Sequence, residues 1–407
     1  MNGLLGFGHR PKWIARLLGL SVVAVILFLR RPDFLLDAKL WAEDGTIWYA
    51  EAAAKGFASA FSPQNGYFQT ISRIVFWVAQ AIPIETVPLF ANTVGLLIRV
   101  APVAFICSSR FDWIPWQAKL AMVAYYVLMP GIEEVHANIT NAHWYLAIYV
   151  LMIVISRPPR SSAGRVHDFV ALTIAGLSGP FILLLLPCFA LRLLCDRSHR
   201  GYVLRLTVLA TLLAAVQVLA IVLTGGETRS PAPLGASFGL LLQIIGVRIV
   251  SGTFLARGAP GVAANAVLVA LALGIGVAAI RAGGWRAACV SLLAVLQISA
   301  ALASPMISLD QPQWPLFLVG GERYFVIPRL LLVALVVFAV AGLRPKLVPG
   351  ALLIAVLVLA LLPGFHLRPV PGPPFAAEAG AYRRAVVGQV VVMRIAPPPW
   401  TMAIIRR

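Results

Sequence analysis

The chain has 407 residues, 60% of them hydrophobic and 12% charged, with a mean hydropathy of +0.89. A soluble domain is about half apolar and a quarter charged and has no room to hide so much apolar surface. The net charge of +18 sits in short basic clusters between apolar runs. That pattern argues against a nucleic-acid partner and follows the positive-inside rule of membrane proteins.

Apolar runs long enough to cross about 30 Å of hydrocarbon recur from end to end, Ser21–Leu29 belonging to the first and Ala351–Leu362 to the last. They predict an all-α, polytopic transmembrane bundle of about 10–12 membrane segments over residues 1–363. Spans are expected near 14–30, 69–83, 86–107, 114–130, 141–156, 168–194, 203–224, 261–280, 286–303, 325–343 and 347–363. Segment 235–256 is interrupted by Arg248 and two glycines. It is expected to lie along the interface or to pack as a broken helix.

Arg10, Lys12 and Arg16 precede the first span, and no small-residue cleavage site follows it. An uncleaved span with a cytoplasmic N-terminus is expected. Placing both basic loops 157–165 and 192–205 in the cytoplasm requires 168–191 to enter and return, with Leu177-Ser178-Gly179-Pro180 as the break. The alternative is one crossing with one basic loop outside. The hairpin puts Glu133–Trp144 outside and means that one of the three segments between 69 and 130 falls short of a full span. The four cysteines lie in or beside apolar runs without a CxxC pair, which suits packing better than a disulfide or zinc site.

Hydrophilic sequence is confined to an outer loop at 31–68, further outer loops at 131–144 and 304–324, and an extracytoplasmic tail at 364–407 with a short β-like run from Val386 to Met393. In the first loop, Glu43 and Asp44 precede Ile47, Ala50, Ala54 and Phe57, which share one helical face, and Gly56 suits a helix end. A juxtamembrane helix would hold both carboxylates at the membrane surface; alternatively one caps the helix and the other is solvated. Tyr67 suits a tight re-entry into the membrane. Arg73, a turn further on, would snorkel or meet a lipid phosphate.

In the second loop His136, Thr140 and His143 have helical spacing, as do Glu134, Asn138 and Asn141. Amides and imidazoles beside Trp144 suit sugar hydroxyls and ring faces; the alternative is an interfacial aromatic belt. The seven-residue gap between His136 and His143 is a weak zinc signal. In the third loop Glu322, Arg323 and Tyr324 precede a span that contains Arg329. The two arginines would bracket an anionic head group or sit as interfacial and snorkelling charges.

With these motifs in view, the chain resembles the GT-C class of polytopic glycosyltransferases and uncharacterised bacterial membrane proteins with an "AEDG … GY … R" first loop. The resemblance rests on Glu43-Asp44 after the first span, the polar segment Pro130–Trp144, and Gly321-Glu322-Arg323-Tyr324-Phe325. It implies transfer of a sugar from a polyprenyl-phosphate carrier to a glycan or glycolipid acceptor on the outer face of a bacterial inner membrane, with inversion. It further implies Asp44 as the preferred general base, Glu43 as its orienting partner, and Arg323 with Arg329 or Arg73 as phosphate ligands. Asn138, Asn141, His143 and Trp144 would read the sugar. Two adjacent carboxylates are a thin ligand set for a divalent cation (Mg or Mn), which stays an alternative to metal-free catalysis. The competing classes are a transporter or flippase of lipid-linked sugars, which should show internal symmetry and mid-span ionisable residues, and a non-enzymatic membrane subunit.

Overall fold

A computed structural model describes residues 12–224, 230–254, 261–341 and 364–407. The protein is 71% helical, and five helices among the described residues are long and apolar enough to cross a membrane. The expected span at 347–363 lies outside the described residues. Helix α1 is Lys12–Arg30, and a π-helical turn, Asp44–Tyr49, leads into α2, Ala50–Lys55. Next come α3 (Thr70–Val78), α4 (Val87–Ile106), α5 (Trp116–Leu128) and α6 (Ala142–Ile155). They are followed by α7 (Ser162–Gly176), α8 (Phe181–Cys195) and α9 (Arg200–Thr224). The second half holds α10 (Phe238–Gln243), α11 (Val262–Gly283), α12 (Trp285–Ala303) and α13 (Arg323–Ala341). The tail forms α14 (Phe375–Arg384) and an antiparallel pair, β1 (Val390–Arg394) and β2 (Thr401–Ile405).

Buried and half-buried arginines mark the two ends of the bundle, each charge dispersed onto backbone carbonyls, most of them at helix ends. At one end Arg30 donates to the carbonyls of Val127 (2.5 Å), Met129 (2.9 Å) and Phe365 (2.9 Å). The ends of α1 and α5 and the start of the tail therefore meet there. At the other end Arg192 donates to Val154 O (2.7 Å), Arg286 to Ile155 O (2.9 Å) and Arg110 to Arg157 O (2.7 Å). That basic end collects the termini of α4, α6, α8 and α12.

Of the three segments between 69 and 130 only the one ending at Ile106 is long and apolar enough to cross a membrane; α5 has 13 residues and α3 is shorter still. Helix α3 has nine residues, about 13 Å of rise. Both its flanks stay at the non-basic end: Gln69 bridges to Ser178, and Glu85, just past its end, pairs with Arg383 of the tail. The expected span at 69–83 is corrected accordingly, because Pro83 forbids the helix from continuing.

The expected span 168–194 is likewise two helices of 15 residues each. Asp168 in the first half of α7 receives Arg110 at 2.5 Å, and Arg192 near the end of α8 reaches Val154 O at 2.7 Å. Both outer ends of this hairpin thus lie at the basic end. Its turn is pinned by Gly179 N to Phe68 O (2.8 Å) and Thr70 N to Leu177 O (3.0 Å), and Gly179 takes φ +121°, a region open to glycine. Buried Gln217 on α9 donates to Gly176 O at 2.9 Å and Gly179 O at 3.2 Å.

The described part of the ambiguous 235–256 segment, up to Phe254, is an unbroken helix from Phe238 on, so the expected break does not appear there. Helix α10 continues into a π-helical stretch, Ile244–Ser251, that packs on α11 with Gly246 against Asn265. The tail shares one core with the first loop: Met393, Met402 and Ile404 pack with Trp48, Tyr49 and Phe76. All four cysteines are free thiols, and buried Cys188 and Cys289 pack across α8 and α12.

Candidate functional site

Neighbouring residues on a helix point about 100° apart, so Glu43 and Asp44 face different surroundings. Asp44 turns inward and is fully buried. Its Oδ1 accepts from Thr140 N (2.9 Å) and Thr140 Oγ1 (2.8 Å), and Thr140 Oγ1 accepts from Trp48 Nε1 (2.9 Å). Burial pushes the Asp44 carboxyl up to about 7, against the Thr140 hydrogen bonds that favour its anion. Glu43 faces a cavity and is half-buried. Burial raises its pKa above the usual carboxylate range, opposed by its own backbone N–H and by Arg323.

The second cluster is a folded loop, and the helical spacing expected for His136, Thr140 and His143 does not hold. Ala137 takes φ +57° and helix α6 begins only at Ala142. His136 therefore points away, its Nδ1 2.5 Å from Arg99 Nη1. Asn138 fastens the loop, donating to Glu134 O (2.6 Å) and accepting from Asn141 N (3.0 Å) and Asn141 Nδ2 (2.9 Å). Asn141, His143 and Trp144 line the same cavity as Glu43.

The third cluster divides in the same way. Arg323 pairs with the Glu134 carboxylate, its backbone N–H donates to that carboxylate (3.2 Å), and its Nη2 donates to Met306 O (2.5 Å). Tyr324 sets its ring edge against Trp144 at 5.7 Å. Arg323, Tyr324 and Glu134 all line the cavity, as does Tyr67. Glu322 instead pairs with Arg248. Arg329 is buried, donating to Arg248 O (2.6 Å) and Pro130 O (3.2 Å). Arg73 is buried over the Trp48 ring (4.9 Å) and paired with Glu51 (3.0 Å). None of Arg329, Arg73, Glu322, His136, Asn138 or Asp44 lines the cavity; each meets a partner elsewhere in the protein.

The cavity measures about 530 Å³, within the range of small-molecule sites. One wall is polar and aromatic, built from the three clusters. The other is apolar, with Leu183 and Leu184 of α8, Ile221 of α9 and Ala300 of α12. Among the described residues, the buried polar atoms of lining side chains without a protein partner include Gln69 Oε1, Trp144 Nε1 and Gln297 Oε1. Such atoms are costly unless a ligand or water meets them. For a divalent cation the donors are few: among the described residues no group of three His, Cys, Asp or Glu converges, and Glu134 is engaged by Arg323.

Sequence reasoning missed Trp41, Gln69, Gln297 and Trp400, which also line the cavity, and Thr140 as the acceptor's link between two motifs. Gln297 had a signal, an amide inside an apolar run. Trp400 had none, because only the folded tail brings it here. Searches against protein-family models, curated proteins and solved structures found no match to this chain.

Proposed function

We propose that this chain is a polytopic membrane glycosyltransferase of the GT-C class, transferring a sugar from a polyprenyl-phosphate carrier to an acceptor hydroxyl with inversion. The observation that carries the reading is the cavity itself. It gathers Glu43, the amide and indole of Asn141 and Trp144, and the Arg323 guanidinium opposite an apolar wall. A lipid-linked sugar has that same division between isoprenoid, phosphate and ring.

Glu43 takes the base role, because it faces the cavity and Asp44 does not. Its carboxylate accepts the acceptor proton as the acceptor oxygen attacks the anomeric carbon. The bond from that carbon to the phosphate oxygen breaks and its electron pair leaves on the phosphate, whose charge is offset by the Arg323 guanidinium that lines the cavity. Asp44 and Thr140 hold the two outer motifs in register. The basic end lies in the cytoplasm by the positive-inside rule, which puts the cavity on the outer face.

The test is the full-length protein in lipid nanodiscs with a panel of radiolabelled polyprenyl-phosphate sugars and a mixture of cell-envelope glycans. The reading expects label in a glycan product with inverted anomeric configuration. Translocation of donor across proteoliposomes without transfer, or no use of any donor, would overturn it.

A further inference from the structure

A general base works within hydrogen-bond reach of the proton it takes, so the acceptor binds beside Glu43. Two residues earlier is Trp41. Trp400, which follows the β1 strand of the tail, lines the cavity too. The chain segments bearing them are locked together: Ala42 N donates to Ala396 O (2.5 Å), Ala396 N to Leu40 O (3.0 Å) and Thr46 Oγ1 to Thr401 O (2.6 Å). The Ile395 side chain fills the space over Gly45, where an added Cβ would meet it at 2.8 Å.

Met393 and Met402 of this hairpin are 0% exposed, whereas Trp400 keeps 37%. Val390, Val392 and Ile405 of this hairpin are also exposed, but of its exposed side chains only Trp400 lines the cavity. Among the described residues neither indole stacks on another ring or meets a cation. Two rigid, amphipathic faces left open beside a candidate base form a surface for a flat, partly apolar, hydroxyl-bearing ring. A peptide adding as a strand would need a free strand edge, and the Leu40–Ala42 edge is already taken by Ala396.

We infer that Trp41 and Trp400 form the sugar-stacking platform of an acceptor subsite, so that the acceptor is a glycan and the C-terminal tail is a working wall of the site. The assignment of these residues to an acceptor rests on the transferase reading; the glycan platform itself does not. Leu183 and Ala300, which also line the cavity, offer only aliphatic surface.

The experiment is saturation-transfer NMR of the full-length protein in nanodiscs with a set of free oligosaccharides of hexoses, pentoses and deoxyhexoses. Wild type, Trp400→Ala, Trp400→Phe and Trp41→Ala are compared, and thermal melting checks that each variant is folded. At least one oligosaccharide is expected to bind wild type. Trp400→Ala should weaken it tenfold or more, Trp41→Ala severalfold, and Trp400→Phe should recover part of the loss. In a transfer assay the same variants should raise the acceptor KM while the donor KM stays within about twofold. Equal oligosaccharide binding by wild type and Trp400→Ala, or no binding to wild type, overturns the platform. Trp400-dependent binding without any transfer keeps the platform and defeats the transferase reading, so the two failures are distinguishable.

Discussion

At the residue scale, two adjacent carboxylates do different jobs because one helical step separates core from cavity. Asp44 is the acceptor for two Thr140 donors. Asp44→Ala leaves a buried backbone N–H and a hydroxyl without their acceptor, a cost of about 1–3 kcal/mol, readable as a lowered denaturation midpoint. Asp44→Asn keeps an acceptor and is expected to fold. The pH dependence follows from linkage. The folded-state pKa of about 7 lies above the ordinary 3.8, so the folded protein holds a proton that the unfolded chain has lost. This group's contribution to stability is complete below the unfolded value and is lost as pH rises through about 7. Asp44→Asn should therefore flatten the fall in melting temperature between the ordinary 3.8 and about 7. An unchanged pH profile in the variant would contradict this account. For Glu43 the direction of the shift sets the activity profile: transfer should fall on acidification through a value above the usual glutamate range, as the base takes up its proton.

At the element scale, the α7–α8 hairpin positions the cavity wall that carries Phe181, Leu183 and Leu184. Gln217 holds its turn, donating to Gly176 O and Gly179 O and accepting from Phe68 N at 2.9 Å. Gln217→Leu strips those buried carbonyls and the N–H of their partner, and a loss of about 2 kcal/mol or more is expected from the unsatisfied groups. Gly179→Ala is strained at φ +121°, and its Cβ would meet the His143 ring at 3.3 Å. It should reduce transfer more than it reduces stability, a separation that parallel melting and rate measurements will show. This hairpin was legible in sequence through Ser178-Gly179-Pro180 and the charge of the flanking loops. The shortness of α3 was not, since its apolar run reads like its neighbours until Pro83 and the contacts of Gln69 fix both ends on one side. The expected helix through His136 failed for a local reason, the turn at Ala137.

At the scale of the whole molecule, three segments separated by up to hundreds of residues converge because α1, α5, α6 and α13 all present their outer ends to the same place. Sequence indicated the three clusters, and about half of the residues picked from them reach the cavity. The others, Arg73, Arg329 and His136 among them, looked free because pairing partners such as Glu51, Arg248 O and Arg99 lie far away along the chain. Orientation is testable with single cysteines in a background where the exposed Cys107 and Cys195 are serine. Ser62→Cys, at the cavity end, should react with a membrane-impermeant maleimide in intact cells, and Ser198→Cys, at the basic end, only after permeabilisation. The reverse pattern would invert the topology. The most direct test of the central claim is the initial rate of glycosyl transfer by Glu43→Gln at saturating donor, relative to wild type. The account predicts a fall of about 10²–10⁴-fold, the usual contribution of a general base, with melting temperature preserved; a rate within about threefold of wild type would contradict it.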